Sequence, residues 1–103
     1  MTNEEKIKAI QYVIDNPNTE ELYYDLLEQM GDLKRNYWDY MITQPINCDK
    51  ELKRLPDADY ELSTALLTML LREDHFSNGS LMIRYENGEV DAILHHMIDT
   101  LKL

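Results

Sequence analysis

Cysteine is almost absent from this sequence: Cys48 is the only one, so the chain cannot form a disulfide with itself. Small secreted proteins usually depend on such bridges, which leads us to expect a cytoplasmic protein. Glycine and proline are also scarce, at three residues each, and this disfavours a turn-rich sandwich or barrel. No apolar run approaches the roughly 20 residues that cross a bilayer. The acidic start at residues 1–5 is atypical of a signal peptide.

Positive charge is the other scarce quantity. The chain has 10 Lys and Arg against 20 Asp and Glu, a formal net charge of −10. Such a charge repels nucleic acids and anionic membranes and attracts basic protein surfaces. Solubility alone is the alternative explanation for it. Because 44% of the residues are hydrophobic, disorder is excluded and a folded acidic domain is expected.

Apolar residues at helical spacing predict an all-α fold, a compact bundle of five or six short helices in a single domain over residues 1–103. The abundance of good helix formers agrees with this fold. The residues expected to share one core are Ile10, Leu26, Leu66, Leu70, Phe76, Ile93, Leu94 and Met97.

Capping signals mark the first two helices. Thr2 with Glu5 forms a capping box before the first helix, and Asn18 with Glu21 repeats the signal before the second. Gly31 supplies a left-handed stop for the second helix. The two helices are expected to form an antiparallel hairpin.

Residues 33–43 are ambiguous, because their apolar spacing fits a helix while their aromatic composition fits a strand. We favour a helix, since no partner strand is visible elsewhere, and we expect Trp38 in the core. Residues 44–48 are expected to form a loop, and residues 49–55 at most a short helix.

The stretch from Leu66 to Leu94 carries a more specific pattern. A leucine-rich helix ends in Arg-x-Asp-x-Phe, and a glycine turn, a short helix, a second glycine and an Ile-Leu pair follow. The pattern resembles a bacterial family known only as a domain of unknown function. The resemblance implies no activity, but it makes a phage or mobile-element context, and a role against host defence, an expectation. The matching residues are Arg72, Asp74, Phe76, Gly79 and Gly88.

The residues of this pattern are best explained by structural roles. Phe76 is expected to close the end of the leucine helix, and both glycines to adopt positive backbone dihedrals. Arg72 and Asp74 are expected to pair with the final helix or to cap its start. The alternative is a functional pocket around Arg72, Asp74 and His75.

Catalytic and metal-binding patterns are not evident. His95 and His96 are adjacent, so on a helix they point about 100° apart and do not easily share a metal. A carboxylate beside Cys48, such as that of Asp49, would raise the pKa of the thiol, the opposite of activation. We therefore expect a protein that is not an enzyme and that has no metal and no cofactor.

Acidic residues line one face of the second helix. Their steps of four, three and four residues place carboxylates about every 5 Å along the axis. A solvated helix face is one interpretation, and imitation of a phosphate backbone is the other. Glu20 would widen the patch. The stripe itself consists of Glu21, Asp25, Glu28 and Asp32.

Tyrosines surround this helix in the sequence, and the chain has seven of them beside a single phenylalanine. Tyrosine is enriched at interface hot spots, because its ring is apolar while its hydroxyl stays in water. We therefore expect Tyr24, Tyr37 and Tyr40 to contact a partner.

Three functions remain open. The first is a non-enzymatic acidic protein that binds a basic nucleic-acid-binding protein, in its sharpest form an anti-CRISPR-like DNA mimic that inhibits a Cas nuclease. The second is a helical adaptor or regulatory interaction domain without mimicry. The third is a small metal-binding or hydrolytic protein. No direct contact with nucleic acid or membrane is expected.

Overall fold

A computed structural model describes residues 1–17 and 20–103, without the side chain of Glu20. The expected all-α bundle is confirmed, and no strand occurs in these residues. Two 3₁₀ helices, Tyr37–Tyr40 and Leu55–Asp57, lie between the longer elements. The α-helices are α1 (Asn3–Asp15), α2 (Glu20–Met30), α3 (Cys48–Leu52), α4 (Tyr60–Phe76), α5 (Ser80–Glu86) and α6 (Glu89–Leu101).

Helix α4 forms the centre of the bundle and packs against α2, α3, α5, α6 and the 3₁₀ helix at Tyr37–Tyr40. Residues 63–71 are all buried, so this helix is enclosed on every side rather than on one stripe. Its buried hydroxyls bond to carbonyls of the preceding turn, as when Thr68 Oγ1 donates to Thr64 O at 2.8 Å. These internal bonds let polar side chains occupy the core without an unsatisfied group.

The predicted core is confirmed except at Phe76, whose side chain is 85% exposed. That prediction was wrong because the buried run of α4 ends at Leu71, and the helix continues past the core. Leu81 of α5 is buried at this end instead, and its backbone N–H donates to Asp74 Oδ1 at 2.9 Å.

The helix ends largely follow the local signals. The capping box of Thr2 and Glu5 is formed in both directions, at 3.1 and 2.9 Å. Gly31, Gly79 and Gly88 have φ of +76°, +91° and +80°, as the stop and turn signals predict. The predicted cap at Asn18 lies outside the described residues.

The helix predicted over residues 33–43 is wrong for most of its length, since only Tyr37–Tyr40 is helical, as a 3₁₀ turn. Trp38 is 57% exposed rather than in the core. The carboxylate of Glu51 accepts bonds from the N–H groups of Ile42 and Thr43, and a buried side chain thus holds this backbone in place of a helical ladder. The short helix expected near residues 49–55 is confirmed as α3.

Across the described part of the chain, no helix combines the length and the apolar character needed to traverse a bilayer.

Candidate protein-binding surfaces

The outer side of α2 carries an acidic face, which we define as Glu21, Asp25 and Glu28. All three side chains are exposed. None has an ion pair or hydrogen bond with a described residue. Because residues three and four apart are neighbours on a helix, the carboxylates form one row of uncompensated negative charge.

Asp32 does not belong to this row, and its predicted place there is wrong. Helix α2 ends at Met30, and the left-handed Gly31 redirects the chain so that Asp32 turns inward and is only 8% exposed. Its Oδ2 lies 2.8 Å from Lys6 Nζ and accepts the hydroxyl of Tyr60 at 2.5 Å. The spacing of four residues would have placed Asp32 beside Glu28 only if the helix had continued through Gly31.

The other predicted contact residues are divided among several elements. Glu20 is the first residue of α2, but its side chain lies outside the described residues. Tyr24 is half-buried on α2, a helical turn from neighbours in the acidic face. Tyr37 and Tyr40 are half-buried in the 3₁₀ helix that packs on α4. Of the three predicted contact tyrosines, the structure therefore places only Tyr24 on the same helix as the acidic face.

A groove of about 290 Å³ lies between α1 and α2 and reaches the acidic face. Its apolar side includes Val13, Leu22 and Leu26, and its polar side includes Asp25. The ring of Tyr12, which is 62% exposed, stands at this groove. Tyr12 was not among the residues predicted to contact a partner. Its position outside the apolar stripe of the first helix could have indicated an exposed ring.

A second depression, here called the α4 cleft, has a volume of about 410 Å³. It lies where the end of α4 meets α3, α5 and the 3₁₀ helix at Tyr37–Tyr40. Residues on its wall include Tyr37, Ile46, Cys48, Arg72, Phe76 and Arg84.

Arg84 pairs with three carboxylates at one side of this cleft. Glu73 binds it through two bonds, Nε to Oε1 at 3.0 Å and Nη2 to Oε2 at 2.8 Å. Nη1 also donates to Asp49 at 2.5 Å and to Glu89 at 2.9 Å. The bonds with Glu73 raise the pKa of Arg84, and Arg84 lowers the pKa of Glu73. One guanidinium thus ties α5 to α3, α4 and α6.

The predicted pocket around Arg72, Asp74 and His75 does not form as such. Of the three, only Arg72 lines the α4 cleft. Oδ1 of Asp74 accepts from the N–H groups of Gly79 at 3.2 Å and Leu81 at 2.9 Å, so it caps α5 and not the final helix. His75 is exposed and meets the ring of Phe76 edge-on, with 5.5 Å between centroids.

The chemistry of the cleft does not favour a nucleophile. Burial and a hydrogen bond with Glu73 raise the pKa of the Cys48 thiol to about 12, so the thiol stays protonated at neutral pH. His96 Nε2 lies 2.8 Å from the carbonyl oxygen of Ala58, while His95 is exposed. In the residues that the structure describes, no group of three or more His, Cys, Asp or Glu side chains is arranged to hold a metal ion.

These observations define a small all-α protein with an acidic face that has no ion pair to a described residue, and with a cleft lined by the exposed ring of Phe76 and the half-buried ring of Tyr37. The chain belongs to a family of unknown function, DUF6508, whose model matches residues 1–101. This match confirms the resemblance to an uncharacterised family and extends it well beyond the stretch from Leu66 to Leu94. Comparison with curated proteins found no match, and neither did comparison with solved structures.

Proposed function

We propose that this protein is a non-enzymatic cytoplasmic binding protein, whose acidic face engages the basic surface of a nucleic-acid-binding protein. The observation that carries the proposal is the row of exposed carboxylates on α2 without a described counter-charge. The chain as a whole is acidic as well, with a net charge of −10. Such a surface attracts lysine- and arginine-rich partners over a long range.

The groove between α1 and α2 adds a contact that charge alone does not provide. A partner's arginine or lysine could lay its stem on the apolar wall and its charged end between Tyr12 and Asp25. Cation–π contact with an exposed ring contributes roughly 0.5–1 kcal/mol. Aromatic contacts of this kind would give specificity to an otherwise promiscuous electrostatic attraction.

In its sharpest form the proposal is that the protein inhibits a bacterial defence nuclease. The acidic face would act as a DNA mimic and occupy the arginines with which a Cas effector reads DNA. A phage or mobile-element origin forms part of this proposal.

The direct test is a DNA-cleavage assay with a panel of guide-loaded Cas nucleases. Wild-type protein is expected to inhibit at least one member, and a triple variant with Glu21→Gln, Asp25→Asn and Glu28→Gln is expected to inhibit it less. The fold should survive these changes, because exposed charges contribute little to stability. If no member is inhibited by the wild type, the anti-CRISPR form of the proposal is refuted.

A matched control separates the position of the charges from their number. Glu4, Asp57 and Glu86 are also exposed and have no ion pair with a described residue. Changing these residues to Gln, Asn and Gln alters the net charge by the same amount as the triple variant. Equal loss of inhibition in both triple variants would mean that total charge, and not the acidic face, drives binding.

Association kinetics provide a second readout for any partner found. Electrostatic steering should make association slow down as salt rises, since the Debye length is only about 8 Å at physiological ionic strength. The α2 triple variant should show both slower association and a weaker dependence on salt. Unchanged kinetics would place the contact elsewhere.

A helical adaptor without nucleic-acid mimicry is the second candidate. It is favoured by the exposed side chains of Phe76 and Ile46, which both line the α4 cleft, since clustered apolar exposure marks interaction sites. A partner whose affinity is unaffected by the α2 triple variant would favour this candidate. The raised pKa of Cys48 gives no support to the hydrolytic alternative.

A further inference from the structure

Two residues at the end of α4 have no evident role in the fold. Arg72 and Phe76 lie four residues apart on the helix, so they share one face, and both line the α4 cleft. We propose that this cleft binds a peptide segment of a partner protein, one that presents an aromatic or large apolar side chain next to a carboxylate. The proposal deepens the adaptor candidate and does not depend on the acidic face of α2.

The apolar half of the site is the rim around Phe76. This ring is 85% exposed, although the core of the same helix is completely closed to solvent. Tyr37 and Ile46 line the same cleft, and Trp38 stands edge-on to Tyr37 with 5.6 Å between ring centroids. Exposed aromatic residues around a concavity are the usual anchors of protein interfaces.

The polar half of the site is the guanidinium of Arg72. It is half-buried, and it makes no hydrogen bond or ion pair with a described residue. Glu73 is adjacent in sequence, but both of its carboxylate oxygens are already bonded to Arg84. Arg72 is therefore left with its planar set of donors available to an acceptor from outside the chain.

The charge around Arg72 selects a single carboxylate over a polyanion. Asp49 and Glu73 also line the cleft, and the protein as a whole has a net charge of −10. A nucleic acid would bring many phosphates against these groups, whereas one carboxylate needs only the bidentate pairing that arginine provides. A volume of about 410 Å³ accommodates a few side chains and not a folded domain.

The experiment is a selection from a random peptide library displayed on phage, with immobilised wild-type protein as the target. Enriched sequences are expected to combine Asp or Glu with a nearby Phe, Trp, Leu or Ile. In fluorescence polarisation with the synthesised peptides, Arg72→Gln should weaken binding about tenfold, as for loss of one hydrogen-bonded charge. Phe76→Ala should have an effect of about the same size, as for an interface anchor.

Matched surface variants control for non-specific effects. Arg35→Gln removes an exposed arginine that also has no ion pair with a described residue, and Ile83→Ala removes another exposed apolar side chain. Both should leave the affinity unchanged. Thermal melts should show that all variants fold, since Arg72 is only half-buried and the other substituted side chains are exposed.

A double-mutant cycle tests the pairing itself. Replacing the acidic residue of the peptide by its amide should lower the affinity for wild-type protein about tenfold. The same replacement should change the affinity for Arg72→Gln little, which is a non-additive result. An additive cycle, or selected peptides that bind Arg72→Gln and Phe76→Ala as well as wild type, would overturn the proposal. The proposal would also be overturned if the protein bound labelled single-stranded DNA instead of peptide, and if Arg72→Gln weakened that binding.

Peptide binding by the α4 cleft can be tested separately from the proposed contact through the acidic face of α2. The variant with Glu21→Gln, Asp25→Asn and Glu28→Gln should bind the selected peptides like wild type. Peptides that lose affinity only in that variant would argue against the α4 cleft and in favour of the acidic face.

Discussion

At the scale of single residues, burial separates side chains that look alike in the sequence. Asp32 has the same spacing as the acids of α2, yet it lies inside the protein between Lys6 and Tyr60. Burial and the hydrogen bond to Asp32 raise the pKa of the Tyr60 hydroxyl, which remains a donor at any physiological pH. An acid expected to contact a partner thus joins α1 to the start of α4.

Leu70 offers the clearest test of the core, because its side chain is fully buried in the central helix. Leu70→Ala should lower the free energy of unfolding by roughly 2–5 kcal/mol, through lost apolar contact and the cavity left behind. Urea unfolding measures the change. The exposed variant Met82→Ala should shift stability by less than about 0.5 kcal/mol. An unfolding midpoint of Leu70→Ala at the wild-type value would show that Leu70 is not part of the core.

At the scale of elements, the segment that precedes α3 is held by a side chain rather than by a ladder of backbone bonds. Glu51 is fully buried, and its carboxylate accepts from Ile42 N at 3.0 Å and Thr43 N at 2.7 Å. The hydroxyl of Thr43 and, at 2.8 Å, Nη1 of Arg54 complete its partners. One carboxylate therefore fixes the path of the chain between the 3₁₀ helix and α3.

This anchor predicts a specific dependence of stability on pH. Burial alone would raise the pKa of Glu51, but hydrogen bonds from Thr43, Arg54 and Ile42 hold it below its ordinary value of 4.5. Its stabilising contribution is present above the unfolded-state pKa and is lost as pH falls through the lower folded-state pKa. Stability should therefore fall in acid below about pH 4.5.

Glu51→Gln isolates that contribution. At pH 7 the variant should be less stable by roughly 1.5–3 kcal/mol, because a charged acceptor is lost and an amide NH₂ group meets backbone donors. Its deficit relative to wild type should shrink as the pH is lowered, in urea titrations at each pH. Glu86→Gln, at an exposed position, is the control. A deficit that is constant with pH would show that the Glu51 carboxylate is not ionised in the fold.

At the scale of the whole molecule, the net charge and the small size together determine how strongly the negative charges repel one another. The radius of gyration is 12.6 Å, and a net charge of −10 is distributed over this small body. The Debye length is about 30 Å at 0.01 M salt and about 10 Å at 0.1 M. Repulsion therefore spans the protein at the lower ionic strength and is largely screened at the higher one.

Melting temperature should consequently rise when sodium chloride is increased over this range. The comparison should use chloride alone, because sulfate and phosphate also strengthen apolar burial. The α2 triple variant, with less negative charge, should show a smaller rise. A melting temperature that falls with salt would mean that attractive ion pairs outweigh the net repulsion.

Features encoded within a few residues could be predicted from the sequence. The capping box at Thr2 and the left-handed glycines depend on neighbours within one or two turns, and the leucines of α4 were selected as core by their apolar spacing. For the same reason the acidic row on α2 was predictable up to Gly31, where the regular helix ends. The path of the chain at Ile42 and Thr43 was not predictable, because the side chain of Glu51 holds the backbone there.

The sequence by itself thus determined the all-α class, most helix ends, the core leucines and the acidic row, since each follows from local spacing and backbone preference. Only the tertiary structure decided that Asp32 turns inward, that Phe76 remains exposed, and that Arg84 pairs with three carboxylates while Arg72 has no ion pair with a described residue. These outcomes depend on partners distant in sequence: Tyr60 lies 28 residues from Asp32, and Asp49 lies 35 residues from Arg84. No local periodicity encodes which distant side chain a group meets, because the packing of helices around α4 creates that proximity.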